Sequence, residues 1–201
     1  MKEAIVDKAT EMFLNLGFKS VTMDDIANEM GISKKTIYKY FCNKNTLVKA
    51  SVDSIFGKVC SGIDGIKNLD KNSIEEIFMI RGFMMQQLKH ETTAPIYQLQ
   101  KFFPKAFSCL RKNQFEKVHS SMIDNLQKGI DNKIYRADID IEFISRMYFT
   151  GLTGIKDNYV FPAEIFTAAN LTKQFLEYHL RAIATPKGVE ILESILKNED
   201  L

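Results

Sequence analysis

The sequence predicts an all-α protein, and three observations carry that prediction. Apolar residues recur at three- and four-residue spacing along nearly all of the 201 residues. Proline and glycine punctuate the chain between those stretches, at Pro95, Pro104, Pro162 and Pro186, and no segment shows the strict alternation of a half-buried strand. Residues 22–41 contain two consecutive helix starts separated by a glycine, the pattern of a helix-turn-helix.

That stretch reads TMDDIANEMGISKKTIYKYF. Thr22 is placed to cap the free backbone N–H groups of a first helix, and Asp24 and Asp25 lie in its first turn, where negative charge suits the helix dipole. Val21 and Ile26 stand at the spacing of a hydrophobic staple. Gly31 ends this helix as a residue free to adopt the left-handed conformation. The pattern then restarts, with Ser33 as cap and Ile32 and Ile37 as staple.

The second helix has two unlike faces. At about 100° per residue, Ile37 and Phe41 point one way and Lys35 and Lys39 nearly the opposite way, flanked by Thr36 and Tyr38. Lys34 and Lys35 stand where cations oppose the dipole, a conflict that a phosphate backbone would relieve by bringing negative charge. Between Gly31 and Ala50 there are five lysines and no acid. A lysine face alone is also what an ordinary solvated helix shows. Caps, turn, face and lysine block together point to nucleic acid.

In these residues the chain resembles the N-terminal DNA-binding domain of the TetR family of bacterial transcription regulators. The resemblance spans residues 1–50 and rests on Ala9 to Gly17, Phe18, Thr22, Ile26-Ala27, Met30-Gly31-Ile32-Ser33, Thr36-Ile37-Tyr38, Tyr40-Phe41, Lys44 and Leu47 in that order. It implies a three-helix helix-turn-helix domain over 1–47 and a helical effector-binding and dimerisation domain over 48–201. It also implies DNA contacts from Thr22, Lys34, Lys35, Thr36, Tyr38, Lys39, Tyr40 and Lys44. Thr36 and Tyr38 are expected to read bases; Thr22, Tyr40 and Lys44 match family positions that touch phosphates, which set register. Residues 1–50 contain no arginine, so the commonest bidentate reader of guanine is missing and the operator sequence stays open.

Composition excludes other classes. The net charge is only +2, but residues 1–50 hold eight lysines against six acids while the remainder balances, so all the excess positive charge lies in the first quarter. No apolar run approaches the ~18 residues of a membrane span. The start, MKEAIVD, reads as an amphipathic helix with acids in it and not as a secretion signal. Cys42, Cys60 and Cys109 are widely spaced with no C-x-x-C, which argues against a disulfide framework and a zinc site and for a cytoplasmic protein. Glycine-rich phosphate loops, a nucleophile elbow and H-E-x-x-H are absent. The expectation is a non-enzyme without metal, cofactor or membrane association.

Taken in order, Ile5, Ala9, Met12, Phe13 and Leu16 form a supporting helix that Gly17 closes. Asn43 caps a helix beginning at Lys44 whose far end Gly57, Gly62 and Gly65 obscure. Further helices are expected from Asn72-Ser73 through Leu88, over 96–102, from 105 to about 129, over 139–157, from Pro162 through 182, and from Thr185-Pro186 to near Leu196.

Two parts of this region are candidates for function. The helices over 139–157 and 163–182 carry apolar residues on more than one face, with small residues for close approach. By the resemblance they pair with a second copy, through Gly151, Gly154, Phe166, Leu171, Phe175 and Tyr178, as a two-site operator requires. The second candidate is an apolar, methionine-rich set for an unidentified small-molecule effector: Phe83, Met84, Phe102, Phe103, Phe107, Met122, Met147 and Tyr148, with His119 as a polar contact. His90 and His119 have no spaced partner for a metal.

The sequence therefore predicts a homodimeric regulator, a repressor by the family's commoner habit, released from palindromic double-stranded DNA by a small hydrophobic ligand. Two alternatives stay open: an architectural DNA-binding helical dimer without effector, and a helical lipid- or small-molecule-binding protein.

Overall fold

A computed structural model describes residues 1–88 and 94–199; His90 and Thr93 lie outside them. Among the described residues there are ten helices: α1 (Lys2–Leu16), α2 (Met23–Glu29), α3 (Lys34–Tyr38), α4 (Lys44–Lys67), α5 (Ser73–Leu88), α6 (Ala94–Phe102), α7 (Pro104–Asp131), α8 (Ile141–Gly154), α9 (Ala168–Ile183) and α10 (Pro186–Glu199). The extended pairing among these residues is a single bridge between Tyr135 and Ala184, so the fold is all-α.

The helix starts are chemically legible. Asn72 Oδ1 accepts from the N–H groups of Ile74 and Glu75, and the Glu75 carboxylate returns the favour by accepting from Asn72 N–H. Asp140 accepts from Phe143 N–H to start α8. Pro104 and Pro186 occupy first helical positions, where a missing N–H costs nothing. The helix expected to open at Pro162 opens instead at Ala168: Thr167 is the residue whose hydroxyl accepts from Asn170 N–H, and Pro162 sits in a turn with its carbonyl bonded by Ile165 and Phe166. Conversely, α4 runs through its glycines to Lys67. Gly57 and Gly65 face open space, so they cost the helix only their entropy.

The chain divides into two compact units, one of residues 1–62 with 87–114 and one of 63–86 with 115–201. In the first, Ile5, Ala9 and Phe13 of α1 lie beneath Ile26, Ala27 and Ile37 of the two short helices, with Leu47, Val48 and Val52 of α4. Phe13 stacks on Phe18 with ring centroids 5.2 Å apart. Leu99 of α6 and Ala106 of α7 complete this core.

The second unit is built on Ile74, Ile77 and Phe78 of α5, Met122 and Leu126 of α7, Tyr148 of α8, Leu176, Leu180 and Ile183 of α9 and Leu192 of α10. A buried polar network runs through it. The Asn125 amide donates to Ser73 O and Glu76 Oε1, both at 2.9 Å, and Tyr135 Oη donates to Asn125 Oδ1 at 3.1 Å. Each member has a partner, which is the condition for tolerating polar groups in a core. Between α8 and α9, Tyr148, Phe175 and His179 form a three-ring cluster with centroids 5.0 to 5.9 Å apart. Gly151 lies against the Phe175 ring with no room for a Cβ.

Three residues expected at an interface between copies take part in packing within the chain. Gly151 and Phe175 serve the approach of α8 to α9 within the chain, and Leu171 is 8% exposed. Tyr178 and Gly154 remain on the surface, and Phe166 packs edge-on against Phe161. None of cysteines 42, 60 and 109 forms a disulfide.

Candidate DNA-binding face

The face is assembled from residues 22–44. Thr22 closes a full capping box: its Oγ1 accepts from Asp25 N–H at 3.1 Å, and Asp25 Oδ2 accepts from Thr22 N–H at 2.8 Å. The Thr22 hydroxyl also donates to Asp25 Oδ2. The Thr22 backbone bond, then its hydroxyl, hold the Asp25 carboxyl below the usual aspartate value. Gly31 makes the turn at φ +62°, and nothing lies near the place of its absent Cβ. Its requirement is the backbone angle and not space. Ser33 Oγ then accepts from Thr36 N–H at 3.1 Å, starting α3.

Ile26, Ile37 and Phe41 are buried at 0 to 4% exposure and pin the two helices to α1. The opposite face is open. Lys35, Tyr38, Lys39 and Tyr40 are exposed, and Thr36 is half-buried with its hydroxyl 2.8 Å from that of Ser33. Neither Lys35 nor Lys39 has an ion-pair partner among the described residues. Lys34 behaves differently from the expectation. Its ammonium meets Asp24 Oδ2 at 2.7 Å, so the charge conflict at the head of α3 is relieved within the chain. That hydrogen bond raises the Lys34 pKa.

Lys44 also has a second use. Its Nζ donates to Lys19 O at 2.9 Å and stands over the rings of Phe13 and Phe103 at 6.0 and 5.6 Å. Burial pulls its pKa below the ordinary lysine value, with Asp25 working against it. Two of its three N–H donors remain for other partners. Lys19 had no signal in the sequence, because the bond that involves it joins residues 25 apart.

The expected effector-lining residues divide between the units. Phe103 and Phe107 pack against the core of the first unit, and Phe102 is overlaid by the ammonium groups of Lys19 and Lys101 at 4.7 and 5.5 Å. In the second unit Met122 and Tyr148 are core residues, Phe83 and Met84 are half-buried on α5, and Met147 is exposed. His119 is bonded to Glu142 at 3.0 Å and stacks on Phe115. An open cleft of about 370 Å³ in the second unit is lined by Asp70, Lys71, Asn72, Lys128, Asn132, Ile134, Lys187 and Ile191, a polar set unlike the expected Phe/Met lining. No group of three or more potential metal ligands occurs among the described residues. Nor is any described helix long and apolar enough to cross a membrane.

Two short capped helices turned about a left-handed glycine, with a buried aliphatic seam on one side and an open Lys/Tyr/Thr row on the other, define a helix-turn-helix DNA-binding domain. Residues 5–51 match the profile of the family described as bacterial regulatory proteins, tetR family. This chain carries the DNA-binding domain of that family. Over 191 residues it is 23% identical to the HTH-type transcriptional repressor KstR2 of Mycobacterium tuberculosis, covering 92% of this chain and 93% of that one. Over 132 residues it is 25% identical to IcaR, the negative transcriptional regulator of the biofilm operon icaADBC in Staphylococcus epidermidis, covering 65% of this chain and 70% of that one. Its fold is similar to that of a TetR-family regulator from Mesorhizobium loti, with a TM-score of 0.70 at 20% identity over 92% of this chain and 96% of the other.

Proposed function

We propose that this protein is a cytoplasmic, sequence-specific transcriptional repressor that binds a palindromic operator as a homodimer and leaves it when a small apolar ligand binds. The observation that carries the reading is the open face of α3. Lys35, Tyr38, Lys39 and Tyr40 point away from the buried Ile37 seam, and the lysines carry no compensating acid. A row of this kind offers phosphate contacts from the lysines and base contacts from Thr36 and Tyr38. The relatives KstR2 and IcaR are named as transcriptional repressor and negative transcriptional regulator, and neither name describes an enzyme.

The dimer reading is supported by two exposed helix stripes. On α8, Phe143, Met147, Thr150 and Gly154 are exposed at helical spacing; on α9, Asn170, Gln174, Tyr178 and Arg181 are. Phe143 is 58% and Tyr178 75% exposed, and both are large apolar groups that a second copy would cover. In this proposal residues 1–47 read DNA, and 48–201 hold the ligand and the dimer partner. That is a division of labour and not of packing, because Leu99 and Ala106 belong to the core under the DNA-binding helices.

The test is selection from a random DNA pool by the purified protein, with sequencing of what is retained. A palindromic motif with two half-sites is the expected result. Binding with no enriched motif that vanishes at moderate salt would point instead to an architectural protein.

A further inference from the structure

Lys19 sits where the chain turns from α1 into α2, and three side chains from two other elements, α4 and α6, hold it. Its N–H donates to Gln98 Oε1 of α6 at 3.0 Å, and its carbonyl accepts from Lys44 Nζ at the start of α4 at 2.9 Å. Its own ammonium lies 4.7 Å from the centroid of Phe102. Both backbone polar groups of this one residue are therefore tied to side chains distant in sequence. The Gln98 amide also fills the space beside Gly17: a Cβ there would stand 2.7 Å from Gln98 Oε1 and Nε2, and Gly17 has φ +93°. Phe18, between the two, meets the Phe103 ring at 6.3 Å.

The corner leads directly into the DNA-binding face. Three residues after Lys19 comes Thr22, whose capping box starts α2, and α2 carries α3 through the shared Ile26 and Ile37 core. We propose that Gln98 is a positioning residue for DNA binding: from α6 it fixes the Lys19 corner and so the angle at which α2 and α3 present their lysines and tyrosines. The assignment rests on the DNA-binding reading above. It makes α6 part of the working DNA-binding head, although Gln98 lies 79 residues from Lys19 in the sequence.

Two full-length variants separate this role from packing. Gln98→Met keeps the volume and loses the acceptor; Gln98→Glu keeps an acceptor for the Lys19 N–H. Affinity is measured by fluorescence anisotropy on a duplex carrying the motif recovered from the random pool, and amide hydrogen exchange is followed at Lys19. Gln98→Met is expected to weaken binding about five- to tenfold, the worth of one lost hydrogen bond, and to speed Lys19 exchange. Gln98→Glu is expected to stay within about twofold of wild type with a thermal midpoint near that of wild type, while Gln98→Met melts about 2–4 °C lower and stays folded at the assay temperature. Unchanged affinity and exchange in Gln98→Met, or equal loss in both variants, overturns the assignment. A wild-type chain that binds no duplex removes the DNA-binding reading itself, and the Lys19 exchange rates then show separately whether the clamp exists.

Discussion

Lys34 Nζ lies 2.7 Å from Asp24 Oδ2, so a cation at the head of α3 is neutralised by an aspartate at the head of α2. Both side chains are about half exposed, where solvent screening leaves such a pair little effect on stability. Its larger consequence is for DNA, since it ties up one of the lysines beside the reading face and keeps a negative charge there. Asp24→Asn should therefore raise affinity for DNA of any sequence about three- to tenfold at 0.1 M salt and steepen the salt dependence by about one ion, with little change in melting temperature. Anisotropy titrations at several salt concentrations check this, and an unchanged slope would show that Lys34 does not reach a phosphate.

Lys44 and Tyr38 should fail differently. Lys44→Ala removes the bond to Lys19 O and, in the proposed DNA complex, a phosphate contact, so it should weaken all DNA sites about equally and lower stability by about 1 kcal/mol. Tyr38→Ala removes an exposed side chain on the reading face and should change which sites are preferred while leaving the melting temperature alone. Repeating the pool selection with each variant distinguishes the two. Loss of affinity without any change in preference in Tyr38→Ala would contradict its role as a base reader.

His179 makes the α8–α9 pair sensitive to acid. Its ring is buried against Tyr148 and Phe175, its Nε2 has no partner, and burial lowers its pKa from the ordinary 6.5 to about 4. The fold accepts the neutral ring, and the unfolded chain takes up the proton first as pH falls. The contribution is thus fully present above pH 6.5, declines between 6.5 and 4, and is gone below 4, a loss of up to about 3 kcal/mol. Urea unfolding at pH 7.5, 5.5 and 4.5 should show this slope in wild type and a shallower one in His179→Phe. Parallel slopes would mean that other groups dominate.

Because the stripes of α8 and α9 are exposed, the proposed dimer can be tested separately from the fold. Phe143→Glu and Tyr178→Glu place charges on solvent-facing positions, so each should leave helicity unchanged and shift the sedimenting species toward monomer. Gly151→Ala should do the reverse. A methyl group there meets the Phe175 ring, which costs about 1–3 kcal/mol of stability in the chain itself. If Tyr178→Glu unfolds the protein or leaves its sedimentation untouched, the stripe is not the dimer face.

Much of the DNA-binding head was legible because its signals are local. Thr22, Gly31 and Ser33 act on backbone groups within a few residues of themselves, and the Ile26–Ile37 seam follows from helical period alone. Even there, the Asp24 partner of Lys34 was not legible, since it is ten residues away and on a different helix. The start of α9 failed for a related reason. Pro162 and Thr167 both offer a helix start, and only the packing of the turn between them selects Thr167.

By itself the sequence determined the all-α class, the capped pair of helices, and which side of α3 is buried, because capping and periodicity are properties of short segments. The tertiary structure decided what long-range contacts decide. It placed Gln98 on the Lys19 corner, put Phe103 and Phe107 beneath the DNA-binding helices and Met122 and Tyr148 in another core, and used Gly151 inside the chain. An apolar side chain at helical spacing reports that it is buried, and its partner is chosen only when helices far apart in sequence pack together.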